Sequence, residues 1–125
     1  MIRAMKPEDL PDLKEMHDEF YKEEFPFPDF GKHFLGAFVC TNDDNRIISA
    51  GGLRTITEGI TIMDQSLSLR ERRDAMVQIL HASMFTADRF NYDQIHAFVQ
   101  QEKWSHILKK MGFTNPVGES LVLKF

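Results

Sequence analysis

Gly59-Ile60-Thr61-Ile62-Met63-Asp64-Gln65-Ser66-Leu67-Ser68-Leu69-Arg70-Glu71-Arg72-Arg73-Asp74-Ala75-Met76 reads as an extended run, a polar break and the opening of a helix. Ile60 and Ile62 among threonines give residues 59–65 the character of a strand, and Glu58-Gly59 marks the turn before it. From Leu69 to about Arg89, Met76, Ile79, Leu80, Met84 or Phe85, and Ala87 recur at helical spacing with no internal Gly or Pro. The longest helix is expected there. Asn91-Tyr92-Asp93 breaks it, and Ile95-His96-Ala97-Phe98-Val99 follows as a compact strand of the kind buried in an α/β sheet.

Upstream, Ile2 to Met5 is a short extended stretch, and Lys6-Pro7-Glu8-Asp9 places a proline and two acids in a first helical turn. Leu10, Leu13, Met16 or His17, and Phe20 carry that helix to residues 19–22. Residues 20–34 hold Phe20, Tyr21, Phe25, Phe27, Phe30 and Phe34, broken by Pro26, Pro28 and Gly31, and read as irregular. Residues 35–41 and 46–54 flank the turn Asn42-Asp43-Asp44-Asn45 and form a hairpin, with Gly51-Gly52 as the place for a bulge. Downstream, Trp104, Ile107, Leu108 and Met111 stripe a short helix that Gly112 stops. A loop follows, and residues 121–125 read as a last strand. The order is β, α, irregular segment, β, β, β, α, β, α, β. It implies one α/β (α+β) domain over residues 1–125, with a mixed, mostly antiparallel central sheet flanked by helices.

The 125 residues, 42% of them hydrophobic, suffice for one core. A net charge of -4 gives no reason to expect nucleic acid or an anionic membrane as partner. A single cysteine, Cys40, rules out an internal disulfide, points to a reducing compartment and reads as a plain buried thiol. Met1-Ile2-Arg3-Ala4 leads straight into polar residues, without the apolar stretch of a signal peptide, so a cytoplasmic location is expected. His17, His33, His81, His96 and His106 show no ligand spacing, and no metal is expected. Nucleotide-hydrolysis, serine-hydrolase and dinucleotide-binding motifs are missing, which sets those classes aside.

The order of elements, the strand, loop and long helix at its centre, and Met111-Gly112-Phe113 after a short amphipathic helix together resemble the GNAT superfamily of acyl-CoA-dependent N-acetyltransferases over nearly the whole chain. Ile2-Arg3-Ala4 with Asp9-Leu10 and Leu13 is similar to the first strand and helix of that family. The resemblance implies a splay between the strands at 59–65 and 95–99, and a loop that wraps the diphosphate of acetyl-CoA, the cosubstrate. The family's Q/R-x-x-G-x-G/A loop falls on Arg70-Glu71-Arg72-Arg73-Asp74-Ala75, with Arg73 where the central glycine stands. Met63, Asp64, Gln65, the run from Arg70 to Met76, Gln101 and Trp104 are then the cofactor-binding positions. Gln101 replaces a frequent asparagine, and Leu108 replaces a tyrosine often used as general acid. The implied reaction is acetyl transfer to an amine of a small molecule or a peptide.

Arg70, Arg72 and Arg73 crowd a helix N-terminus, where each cation is disfavoured by ~0.3–1 kcal/mol at low salt. Two readings answer that. Glu71 and Asp74 offset the charge within the helix, Arg70 and Asp74 being spaced i, i+4. Alternatively, an anion sits there on free main-chain N–H groups and guanidinium forks.

Acetyl transfer requires a base for the ammonium proton, a donor for the thioester oxyanion and an acid for the thiolate. Glu58 and His96 are the candidate catalytic residues, against a solvated turn glutamate and a satisfied histidine as the plain alternatives. Main-chain N–H groups near Met63 to Gln65 suit the oxyanion. Asp64 is either a base or a loop-bonding side chain, and Ser105 or His106 is a candidate acid. The phenylalanines of 20–34 close the core, or form an exposed wall for an apolar acceptor or a homodimer contact. A rival to catalysis keeps the same fold as an acyl-CoA-binding or protein-interaction module, favoured by Arg73 and Leu108.

Overall fold

Asn42-Asp43-Asp44-Asn45 folds the chain back on itself in the computed structural model, which describes all residues from Met1 to Phe125. The Asn42 side-chain oxygen accepts from the N–H groups of Asp44 at 3.1 Å and Arg46 at 3.0 Å, and Asn45 takes the left-handed conformation at φ 60° that asparagine tolerates. The hairpin arms are β2 (Phe34–Thr41) and β3 (Ile47–Arg54). β1 (Ile2–Ala4) pairs with the other edge of β2, giving a three-stranded antiparallel sheet in the order β1-β2-β3. Three helices complete an α+β protein: α1 (Leu10–Phe20), α2 (Leu69–Arg89) and α3 (Glu102–Lys110). The chain divides into two compact units, Met1–Thr57 and Glu58–Phe125.

In the first unit the hairpin register slips at Leu35 and Ile48, each an extra residue between paired neighbours. The bulge expected at Gly51-Gly52 is not there, since these residues pair in step with Phe38 and Ala37. Close approach of backbone explains the glycine at 52. A Cβ at that position would lie 2.3 Å from the Gly36 carbonyl oxygen and 3.0 Å from the Ala37 Cα.

Pro7 opens a 3-10 turn over Pro7–Asp9 that leads directly into α1. Arg3 at the sheet edge donates a fork to Asp9, Nη1 to Oδ2 at 2.7 Å and Nη2 to Oδ1 at 2.8 Å. The Lys6 N–H donates to the same carboxylate at 2.8 Å. Asp9 is thereby satisfied although buried. Helix α1 then lays Leu13 on Val39 and Ile47, with Met5, Met16 and Phe27 packed around them. Cys40 is a half-buried free thiol.

In the second unit both helices stop as their sequences predict. Asn91, at φ 63°, donates to the Asp88 carbonyl, and Tyr92 to that of Ala87. Gly112, at φ 105°, donates to Lys109, and Phe113 to Leu108. Each pair of bonds is the Schellman pattern, which satisfies the last carbonyls of a helix. The strands expected over 59–65 and 95–99 are reduced to a single parallel bridge between Glu58 and His96. The strand expected over 121–125 is not formed, and Leu121, Val122, Leu123 and Phe125 are exposed. An apolar β-prone run becomes a strand only where a ladder takes its main-chain groups, which periodicity alone does not supply. No helix is long and apolar enough to cross a membrane.

Two outcomes follow for the first unit. Gly52→Ala forces the hairpin backbones apart and lowers unfolding free energy by about 1–3 kcal/mol, read as a lower urea midpoint. Arg3 first, then the Lys6 N–H, hold the Asp9 carboxyl at about 2, against an unperturbed 3.8. A carboxyl depressed in the folded state contributes stability above the unfolded value and loses it on acidification. The wild type therefore loses stability from about pH 4 down to pH 2, and Asp9→Asn flattens that limb in acid titrations followed by circular dichroism.

Candidate functional site

Every candidate catalytic and cofactor-binding residue falls in the second unit, around the segment that enters α2 and the segment that follows it. Ser68 is the N-cap, extended at φ -62° and ψ 158°. Its Oγ accepts the Glu71 N–H at 3.2 Å, and Glu71 Oε2 accepts the Ser68 N–H at 3.0 Å and the Ser68 hydroxyl at 2.8 Å. This capping box satisfies two donors reciprocally, and its bonds to Ser68 hold the Glu71 carboxyl below the usual range. Glu71 is therefore a structural cap in this protein. The S-x-x-E spacing at 68–71 signals as much in the sequence.

The three arginines part ways. Arg72 Nη1 donates to Gln65 Oε1 at 2.9 Å, tying the approach loop to the first turn, while its Nε is buried without a partner. Arg70 and Arg73 are exposed and form no ion pair; the i, i+4 contact between Arg70 and Asp74 is not made. With the Glu71 N–H capped by Ser68 and the Arg72 N–H bonded to the Ser68 carbonyl, Leu69 and Arg70 keep the unpartnered N–H groups of the first turn. The cationic surplus at the positive end of α2 is thus not neutralised within the helix.

Asp64 Oδ1 accepts from the Ser66 N–H at 2.9 Å and the Ser66 hydroxyl at 2.7 Å. The hydroxyl, then the N–H, lower the Asp64 carboxyl from its ordinary range, so of its two expected roles it takes the loop-bonding one. Gln65 Nε2 also donates to the Met63 carbonyl at 3.2 Å. Met63 is half-buried, and Met76 is buried on α2 beside half-buried Ala75.

Glu58 and His96 are brought together, across the parallel bridge. The Gly59 N–H donates to the His96 carbonyl at 2.8 Å, and beyond it the two segments share no ladder. Glu58 is exposed and His96 half-buried. A Cβ on Gly59 would stand 3.2 Å from Ile95 Cγ2, a tight contact where the segments meet.

Gln101 is the N-cap of α3 but makes no side-chain cap bond, and its carbonyl accepts the Ser105 N–H at 3.0 Å. Trp104 is half-buried. Ser105 and His106 line a shallow depression along α3 with Glu102, Lys103 and Lys109. Leu108 is buried, 5% exposed, on the opposite side of the helix from that polar face. No three His, Cys, Asp or Glu side chains are grouped to hold a metal ion. No protein-family model, curated protein or solved structure matches the chain.

Replacing Ser68 by Ala removes the cap and leaves Glu71 without its partner. The expected cost is about 0.5–2 kcal/mol, measured as a fall in thermal midpoint together with loss of helical circular dichroism.

Proposed function

We propose that the protein is a GNAT-like N-acetyltransferase that takes acetyl-CoA as cosubstrate and acetylates an amine of a small molecule or a peptide. The observation that carries this reading is the pairing of Glu58 with His96 in parallel, on either side of a 21-residue helix with three arginines in its first turns. Two segments joined through a helix, bridged in parallel at their beginnings and without a ladder afterwards, are free to admit a cosubstrate between them at the end where the helix starts. Ligands of α/β units bind at that end of the strands.

The diphosphate is held by the N–H groups of Leu69 and Arg70 and by the guanidinium groups of Arg70 and Arg73, which have no protein partner. Arg72 braces the loop through Gln65. Glu58, or His96 from the facing segment, takes the ammonium proton of the acceptor. The freed amine attacks the thioester carbon, main-chain N–H groups near Met63 to Gln65 stabilise the oxyanion, the adduct nitrogen releases its second proton to solvent, and the C–S bond breaks as Ser105 or His106 protonates the departing thiolate.

The buried position of Leu108 favours a second reading, in which the same fold binds acyl-CoA or a protein without turnover. No hydroxyl is available at that position to act as acid, and Arg73 lacks the conformational freedom of the glycine it replaces.

Thermal-shift titration with CoA and acetyl-CoA tests both readings. A ligand at a hundred times its Kd adds ~2.7 kcal/mol of stability, and Arg70→Ala with Arg73→Ala is expected to abolish most of the shift. No shift at millimolar CoA would remove the cofactor assignment. Release of free thiol in a screen of amines separates the enzyme from the binding module.

A further inference from the structure

His17 lies in the last turn of α1 and is 7% exposed. Its Nε2 stands 2.6 Å from the Phe25 carbonyl oxygen, so this nitrogen carries the proton and donates. The ring meets Phe25 edge-on at 5.2 Å and Phe27 at 5.5 Å between centroids. Phe27 in turn packs on the Leu13, Val39 and Ile47 core and begins a run of ring contacts through Phe30 to Phe34. This imidazole is therefore the side-chain polar contact between the aromatic segment and α1, beside the main-chain bonds that Glu24 and Phe25 give to the Tyr21 carbonyl. Its other nitrogen, Nδ1, is buried and has no hydrogen-bond partner, with Asp18 Oδ1 3.6 Å away.

We propose that His17 is a proton-operated clasp, in which protonation of Nδ1 tightens the aromatic segment against α1. An imidazole is the side chain whose charge ordinarily changes between pH 5 and 8. The charged ring strengthens the bond to the Phe25 carbonyl, gains an acceptor in Asp18, and sits at the negative end of α1. Burial opposes the charge, and these three contacts favour it. The ionisable neighbours are few, and the Lys22 ammonium acts on Asp18 from the next turn. Lys14 bonds to Asp18 and lies 5.8 Å from the Phe27 ring centre. Tyr21 gives its N–H to the His17 carbonyl. Within the segment Asp29 is engaged with the Gly31 N–H, and the core residues of β2 and β3 that face α1, Val39 and Ile47, are apolar. This device is independent of the acetyltransferase reading.

The experiment is a titration of the whole chain from pH 8 to pH 5 by NMR, following the His17 ring and amide-exchange protection of Glu24 and Phe25. Both amides donate to the Tyr21 carbonyl, at 2.9 and 3.3 Å. Protection is expected to rise roughly threefold to tenfold as the ring takes its proton. Asp18→Asn, at a half-exposed site, is expected to keep the fold and reduce that rise, and His17→Gln to abolish it. Protection that falls on acidification, ring titration that leaves Phe25 and Phe27 resonances unmoved, or a rise unchanged in Asp18→Asn would each overturn the proposal.

Discussion

The bond from the Gly59 N–H to the His96 carbonyl closes a loop that contains all of α2. It is the sole strand-type pairing of the second unit. Closing a long loop costs conformational entropy that the enclosed structure must offset, and α2 is capped at both of its ends. Ser68 and Glu71 finish the helix at one end, and Asn91 and Tyr92 at the other. A helix defined at both termini fixes where its flanking segments enter and leave, so the two can meet at one point with little ladder to hold them. Beyond Gly59 no ladder takes up the main-chain groups, and local side chains serve some of them instead, Gln65 at the Met63 carbonyl and Asp64 at the Ser66 N–H.

The two units solve the polar-group problem differently. In the first, the Arg3 fork and the Lys6 N–H satisfy the Asp9 carboxylate at the junction of sheet and helix, which lets Leu13 reach Val39 and Ile47. In the second, cations stand exposed at the positive end of a helix without acidic partners. An arrangement that carries an electrostatic cost at rest is the kind found at sites for charged ligands. Arg72, turned back on Gln65, shows that a guanidinium in this region can be absorbed structurally. Arg70 and Arg73 are not.

What was legible in the sequence was whatever local chemistry decides. The limits of α2 could be read because its helical spacing begins at Leu69 and Asn91 acts within a few residues of the backbone it serves. The hairpin was legible for the same reason, through Asn42 and Asn45. The bulges were not. Leu35 and Ile48 carry no local mark, and the glycine pair that suggested a bulge answers instead to the Gly36 carbonyl on the facing strand. Residues 59–65 and 95–99 have the composition of strands, but partners set by long-range contact decide pairing beyond the first residue. In the candidate site, Glu58 and His96 were named separately, and only the fold brings them opposite each other. Glu71, read as charge offset and as part of the cofactor stretch, is also the cap of α2, which the S-x-x-E spacing signals. His17 fitted a helical stripe, with nothing nearby to tell an ordinary core histidine from one holding a carbonyl eight residues away.

Residues 121–125 bear on the behaviour of the protein in bulk. Leu121, Val122, Leu123 and Phe125 are exposed in an unpaired segment free of proline, the composition that seeds cross-β association between copies. Lys124 is the single charge in that run and stands between two of its apolar side chains. A flanking lysine of this kind acts as a gatekeeper, since in-register stacking of many copies would line up like charges. Lys124→Ala would thus leave this run uncharged and open to association between copies at high concentration.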